Sequence, residues 1–172
     1  MAPLGHGLGM GAETQNEDAM TERLRDQIAQ LRAITPQLHA VTDEAARIVH
    51  IVESFLGEEC KLGLTACTDF DHDFDNGFDF FHRLEYGRID GQFRLIVYDV
   101  MRDPDGEESP RNRAAWINHT REVKLRTIEH IPDLLAKIGT KVQSTINQTR
   151  AATIKVGELL RDLGISEKGV KS

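Results

Sequence analysis

Between Thr68 and His82 the chain reads TDFDHDFDNGFDFFH, with five aspartates and two histidines in fifteen residues. Carboxylates and imidazoles at that density are the raw material of a metal site. Asp71, Asp73 and Asp75 alternate like the opening of a calcium loop, which needs glycine at its sixth place and glutamate at its twelfth. Counted from Asp71 those places hold Asn76 and His82; counted from Asp69 they hold Phe74 and Phe80. Both frames fail. Zinc needs three or four converging ligands, and His72 and His82 stand in neither an HxH nor an HExxH pattern. Asp71, His72, Asp73 and Asp75 are thus metal candidates without a ligand set. The plain expectation for 68–79 is an acidic loop between strands, turning at Asn76-Gly77.

The second piece of chemistry depends on a hairpin. FFHRLEYGRI and QFRLIVYDVM are alternating runs around Asp90-Gly91, a pair suited to a two-residue turn with positive φ at both positions. That turn sets Ile89 opposite Gln92, and the rest of the register follows. One face receives Phe80, His82, Leu84, Tyr86 and Arg88 against Met101, Asp99, Val97, Leu95 and Phe93. It is the more apolar face and should meet the core. On the other face Arg83 comes opposite Tyr98, placed for an exposed cation–π contact. Directly cross-strand, His82 and Asp99 form the orienting half of an acid–base site. They are the only catalytic candidates, and no serine or threonine stands in a nucleophile-elbow context. A structural polar pair is the competing reading.

The elements that would position these groups can be read from spacing. Apolar residues at Leu24, Ile28, Leu31, Leu38, Ala45, Val49, Val52 and Leu56, with Thr35 and Thr42 in the gaps, make a helical stripe. A second register beside it widens the face beyond a coiled-coil seam. Thr21 is a possible N-cap, Thr35-Pro36 marks a kink or restart, and Gly57 should end the helix. Residues 59–67 alternate as a strand, with Cys60 and Cys67 on opposite faces. RDPDGEESP reads as a polar turn, and Ser109-Pro110 as the start of a second helical region to about Leu163, broken near Pro132. The predicted fold is α+β: a long N-terminal helix, a three-stranded antiparallel meander and a long C-terminal helix. Residues 1–19 are expected as a disordered extension, 20–163 as one domain and 164–172 as a flexible tail.

Net charge is −7, divided as −4 over 1–56, −9 over 57–110 and +6 over 111–172. The acidic middle suits basic partners, and the basic tail could complement it. Arg121, Lys124 and Arg126 could meet phosphates, but the acidic total and 6% aromatic content speak against nucleic acid. No apolar run reaches membrane-spanning length, and no secretion signal or cofactor motif is present. A cytoplasmic protein without cofactor is the expectation. The functional expectation is a protein–protein interaction or assembly module. Its contacts, with a protein partner or with itself, would run through the C-terminal helix stripe at Val142, Thr149, Ala152, Val156 and Leu160.

Overall fold

A computed structural model describes residues 11–163, with side chains from Met20 onward. The chain divides into two units, Met1–Glu44 and Ala45–Ser172. It is an α+β protein. Helix α1 (Gly11–Ser54) precedes strands β1 (Ala66–Asp75), β2 (Phe78–Ile89), β3 (Gln92–Arg102) and β4 (Glu108–Ala115), and helices α2 (Arg121–Ile128) and α3 (Ile131–Asp162) follow. The strands form one antiparallel sheet in the order β1-β2-β3-β4. The hairpin register is the predicted one along its whole length, from Ile89↔Gln92 to Phe80↔Met101. Asp90 and Gly91 have φ of 50° and 80°, as that turn requires.

Several expectations are corrected. The sheet has four strands, not three, because Glu108–Ala115 pairs with β3 instead of starting a helix. The acidic stretch is strand, not loop: Ala66–Asp75 pairs with β2, and only Asn76-Gly77 turns. Residues 59–65 lie outside any strand, so Cys60 has no sheet face. Helix α1 starts at Gly11 and contains Pro36. Thr35 is not a cap there; its hydroxyl donates back to the Leu31 carbonyl at 2.7 Å. The helix ends in a π-helical turn, Phe55–Glu59, closed by Cys60 N–H on the Phe55 carbonyl. Gly57 lies inside that turn. The break at Pro132 is present, with α3 restarting at Ile131 and proline in its first turn. Residues 1–10 and 164–172 lie outside the described residues.

Both faces of the sheet bury apolar side chains. On one, Leu84, Tyr86, Leu95 and Val97 pack against Ala45, Val49, Leu56, Trp116, Ile131, Leu134 and Ile138. This is the face the alternation assigns to the core. Glu53 ties α1 to the sheet by accepting the Leu95 N–H at 2.7 Å, one residue beyond the end of the β3–β4 ladder. Burial pushes the Glu53 carboxyl up, and the Leu95 hydrogen bond opposes the shift. Trp116 donates its indole N–H to the buried Thr127 hydroxyl at 2.6 Å, which fixes α2 on the core. On the opposite face Phe81, Ile96, Tyr98 and Val100 form a second, smaller cluster.

Tyr86 is fully buried, and its hydroxyl has no hydrogen-bond partner among the described residues. Burying an unpaired hydroxyl costs about 1–3 kcal/mol. Tyr86→Phe is therefore expected to leave thermal stability unchanged or raise it. A loss above about 1 kcal/mol would show that the hydroxyl is hydrogen-bonded in solution.

Candidate functional site

The helices cover only part of the inner face. Where β2 begins and β3 ends, Phe80, His82, Asp99 and Met101 form the floor of a cleft of about 430 Å³, whose lining also includes Asp71, Asp73, Arg111 and Asn112. Two bulges shape it. The β1–β2 register slips between Phe70 and Asp73, and the β3–β4 register slips between Val97 and Asp99. Each bulge holds a non-glycine residue in the left-handed region, Asp71 at φ 54° and Asn112 at φ 55°. Bulges re-aim side chains. Asn112 Nδ2 donates to Asp99 Oδ2 at 2.7 Å, while His82 Nδ1 meets Asp99 Oδ1 at 2.8 Å. A carboxylate only accepts, so this contact puts a proton on Nδ1, and in the neutral ring Nε2 is then the acceptor. The predicted pair is thus made, with a third member, Asn112, that the sequence reading missed.

The outer cluster is roofed by arginines. Arg83 and Arg102 lie over the Phe81 ring at 5.3 and 4.8 Å, and Arg113 lies over Tyr98 at 5.8 Å. The expected Arg83–Tyr98 stack is corrected: the two are cross-strand partners, but Arg83 covers Phe81 and is largely buried. Arg83 binds Asp69 through Nε and Nη2, at 2.5 and 2.9 Å, and gives Nη1 to Glu108 at 2.7 Å. Arg102 joins Glu108 to Asp79. The Asp69 hydrogen bond, more than any other cause, raises the Arg83 pKa. Burial first, and then its hydrogen bond to Glu85, pushes Tyr98 up to about 12.

The other candidates scatter. His72 sits on the roofed side, bonded to Asp79 at 3.0 Å and stacked on Phe81 at 4.9 Å. Asp75 closes the β1 register opposite Phe78. Asp71 pairs with Arg126, and no group of three His, Cys, Asp or Glu converges among the described residues. Several basic residues are engaged within their own chain. Lys124 lies over the Trp116 ring, Lys137 bonds Thr68, and Lys141 bonds the Thr65 carbonyl. Arg121 is also engaged. On α3, Val142 packs partly on the core, whereas Thr149, Ala152, Val156 and Leu160 are exposed. No family model, curated protein or solved structure matches this chain.

The roof yields a pH prediction. Hydrogen bonds from Arg83, then Arg102, lower the Glu108 carboxyl from 4.5 to about 2. Its stabilising effect is complete above the unfolded value and is lost as pH falls through the folded one. Glu108→Gln should reduce stability at neutral pH by at most about 1 kcal/mol, because solvent screens this partly exposed pair. The variant should also lose less stability than wild type between pH 4.5 and about 2. Parallel acid limbs in thermal melts would contradict the ion-pair account.

Proposed function

We propose that this protein is a non-enzymatic assembly module whose copies associate through the amphipathic faces of α1 and α3. One observation carries the reading. In each helix the apolar stripe that is buried near the sheet continues, in the same 3–4 spacing, over residues that are exposed. Ala45, Val49 and Leu56 are core, yet Leu24, Ile28, Leu31 and Leu38 of the same stripe lie open, Leu31 by 58%. Ile131 and Ile138 are core, yet Val156, Leu160 and Leu163 lie open, Val156 by 54%. Long helices in water rely on packing of their apolar face more than on intrinsic propensity, and extended exposed apolar patches mark interaction surfaces.

The threonines in the α1 stripe do not spoil it. In α1, Thr35 and Thr42 each donate the hydroxyl to the carbonyl four residues back, so those hydroxyls need no partner from outside. The sheet edges are poor alternatives for association. β1 is acidic and bulged; β4 carries Pro110, two arginines and the second bulge. Such features keep edge strands from pairing with another sheet. No helix among the described residues is long and apolar enough to cross a membrane. A second reading, an enzyme using His82 as a base oriented by Asp99, rests on the cleft around that pair. The cleft lining supplies no serine, threonine or cysteine as nucleophile.

Light scattering at micromolar concentration should give at least twice the 19.3 kDa chain mass. Leu31→Asp or Val156→Asp should return it to one chain with the sheet's circular dichroism intact, since both positions are exposed in the single chain. A wild-type monomer, or an oligomer indifferent to both substitutions, would refute the proposal.

A further inference from the structure

The cleft on the inner face is independent of the helix stripes, and its free groups on the β1 and β2 side share one character. Asp99 already accepts one hydrogen bond on each oxygen, from His82 and Asn112. Asp71 is taken by Arg126. What remains on the β1 and β2 side is the Asp73 carboxylate, which lines the cleft without an ion pair among the described residues, Nε2 of the neutral His82 ring, and the Phe80 ring, 38% exposed. Asp73 and Phe80 are direct register partners. Each of these groups is electron-rich: two accept hydrogen bonds and the third offers a π face. Met101, opposite Phe80 on β3, adds apolar surface. Arg111 lines the opposite, β4 side of the cleft, with Nη2 3.9 Å from Met101 Sδ, which leaves the β1 side to a ligand of positive charge.

We infer that this cleft binds an alkylammonium group, as carried by a lysine side chain or a free primary amine. The ammonium meets the Asp73 carboxylate and gives a hydrogen bond to His82 Nε2. Its methylene stem lies on Phe80 and Met101, where the adjacent cation gains from the ring. Asp99 and Asn112 act one step removed: they hold the ring by Nδ1–H, so that its neutral form presents Nε2 as an acceptor. A carboxylate ligand would find no free donor on the β1 side. The acidic segment around the cleft also draws cations toward it.

The test is a titration of the full chain, followed by amide chemical shifts, with three probes at up to about 10 mM, enough to detect millimolar binding. The probes are butylammonium, a neutral-ended Gly-Lys-Gly peptide and the same peptide acetylated on the lysine. Saturable shifts at Asp73, Phe80, His82 and Met101 with butylammonium, with the lysine peptide or with both support the inference. Butylammonium alone would assign a small amine, and the peptide alone a protein side chain. In Asp73→Asn the binding should weaken about fivefold, the value of one exposed charge contact. Asp73 makes no ion pair among the described residues, so the variant's spectrum without ligand should match wild type away from residue 73. No shift with either amine, equal binding of the acetylated peptide, or undiminished binding by Asp73→Asn would each overturn it.

Discussion

The two residues Asp90 and Gly91 govern the arrangement of everything on the sheet. With φ positive at both, the turn permits one pairing of β2 with β3. That pairing sends Leu84, Tyr86, Leu95 and Val97 into the main core and sets His82 against Asp99 in the open half of the same face. It also sends Phe81 and Tyr98 outward, where they need a cover. A slip of one residue would exchange the two sets and leave Arg83 and Glu85 facing the helices. The inner core, the cleft and the arginine roof are therefore consequences of one local geometry.

The roof shows how a sheet face without a helix can still be closed. Phe81 and Tyr98 are too large to leave in water, and no further helix packs over them among the described residues. Arginines supply flat guanidinium surfaces over the rings and remain charged. Carboxylates from three strands, Asp69, Asp79, Glu85 and Glu108, then neutralise them. Much of the acidity of the middle segment is used in this way. What is left over, Asp73 in particular, lies at the cleft.

The central hairpin was legible because its signals are local. The Asp-Gly pair and alternation over ten residues on either side suffice for register and for the His82–Asp99 pair. The flanking strands were not legible. β1 is exposed over its last five residues, and β4 over its first six. A strand with neither face buried has no reason to alternate, so its sequence looks like loop. Pro110 then imitates a helix start, although an edge strand tolerates a missing N–H. Asn112 was invisible for a related reason: its role follows from a bulge, and a bulge is defined only by the pairing of two strands. The helix stripes were legible as periodicity. That spacing could not tell which turns would be covered by the sheet, and the boundary at Ala45 in α1 comes from tertiary structure alone.

Hydrogen exchange resolved along the sequence tests the central claim, that the outer halves of α1 and α3 are held by association. Amides of 24–42 and 145–163 should exchange slowly at high protein concentration and lose that protection on dilution. Amides of β2 and β3 should stay protected throughout. Protection of the two outer segments that does not change with concentration would contradict the account. So would fast exchange there at the highest concentration reached.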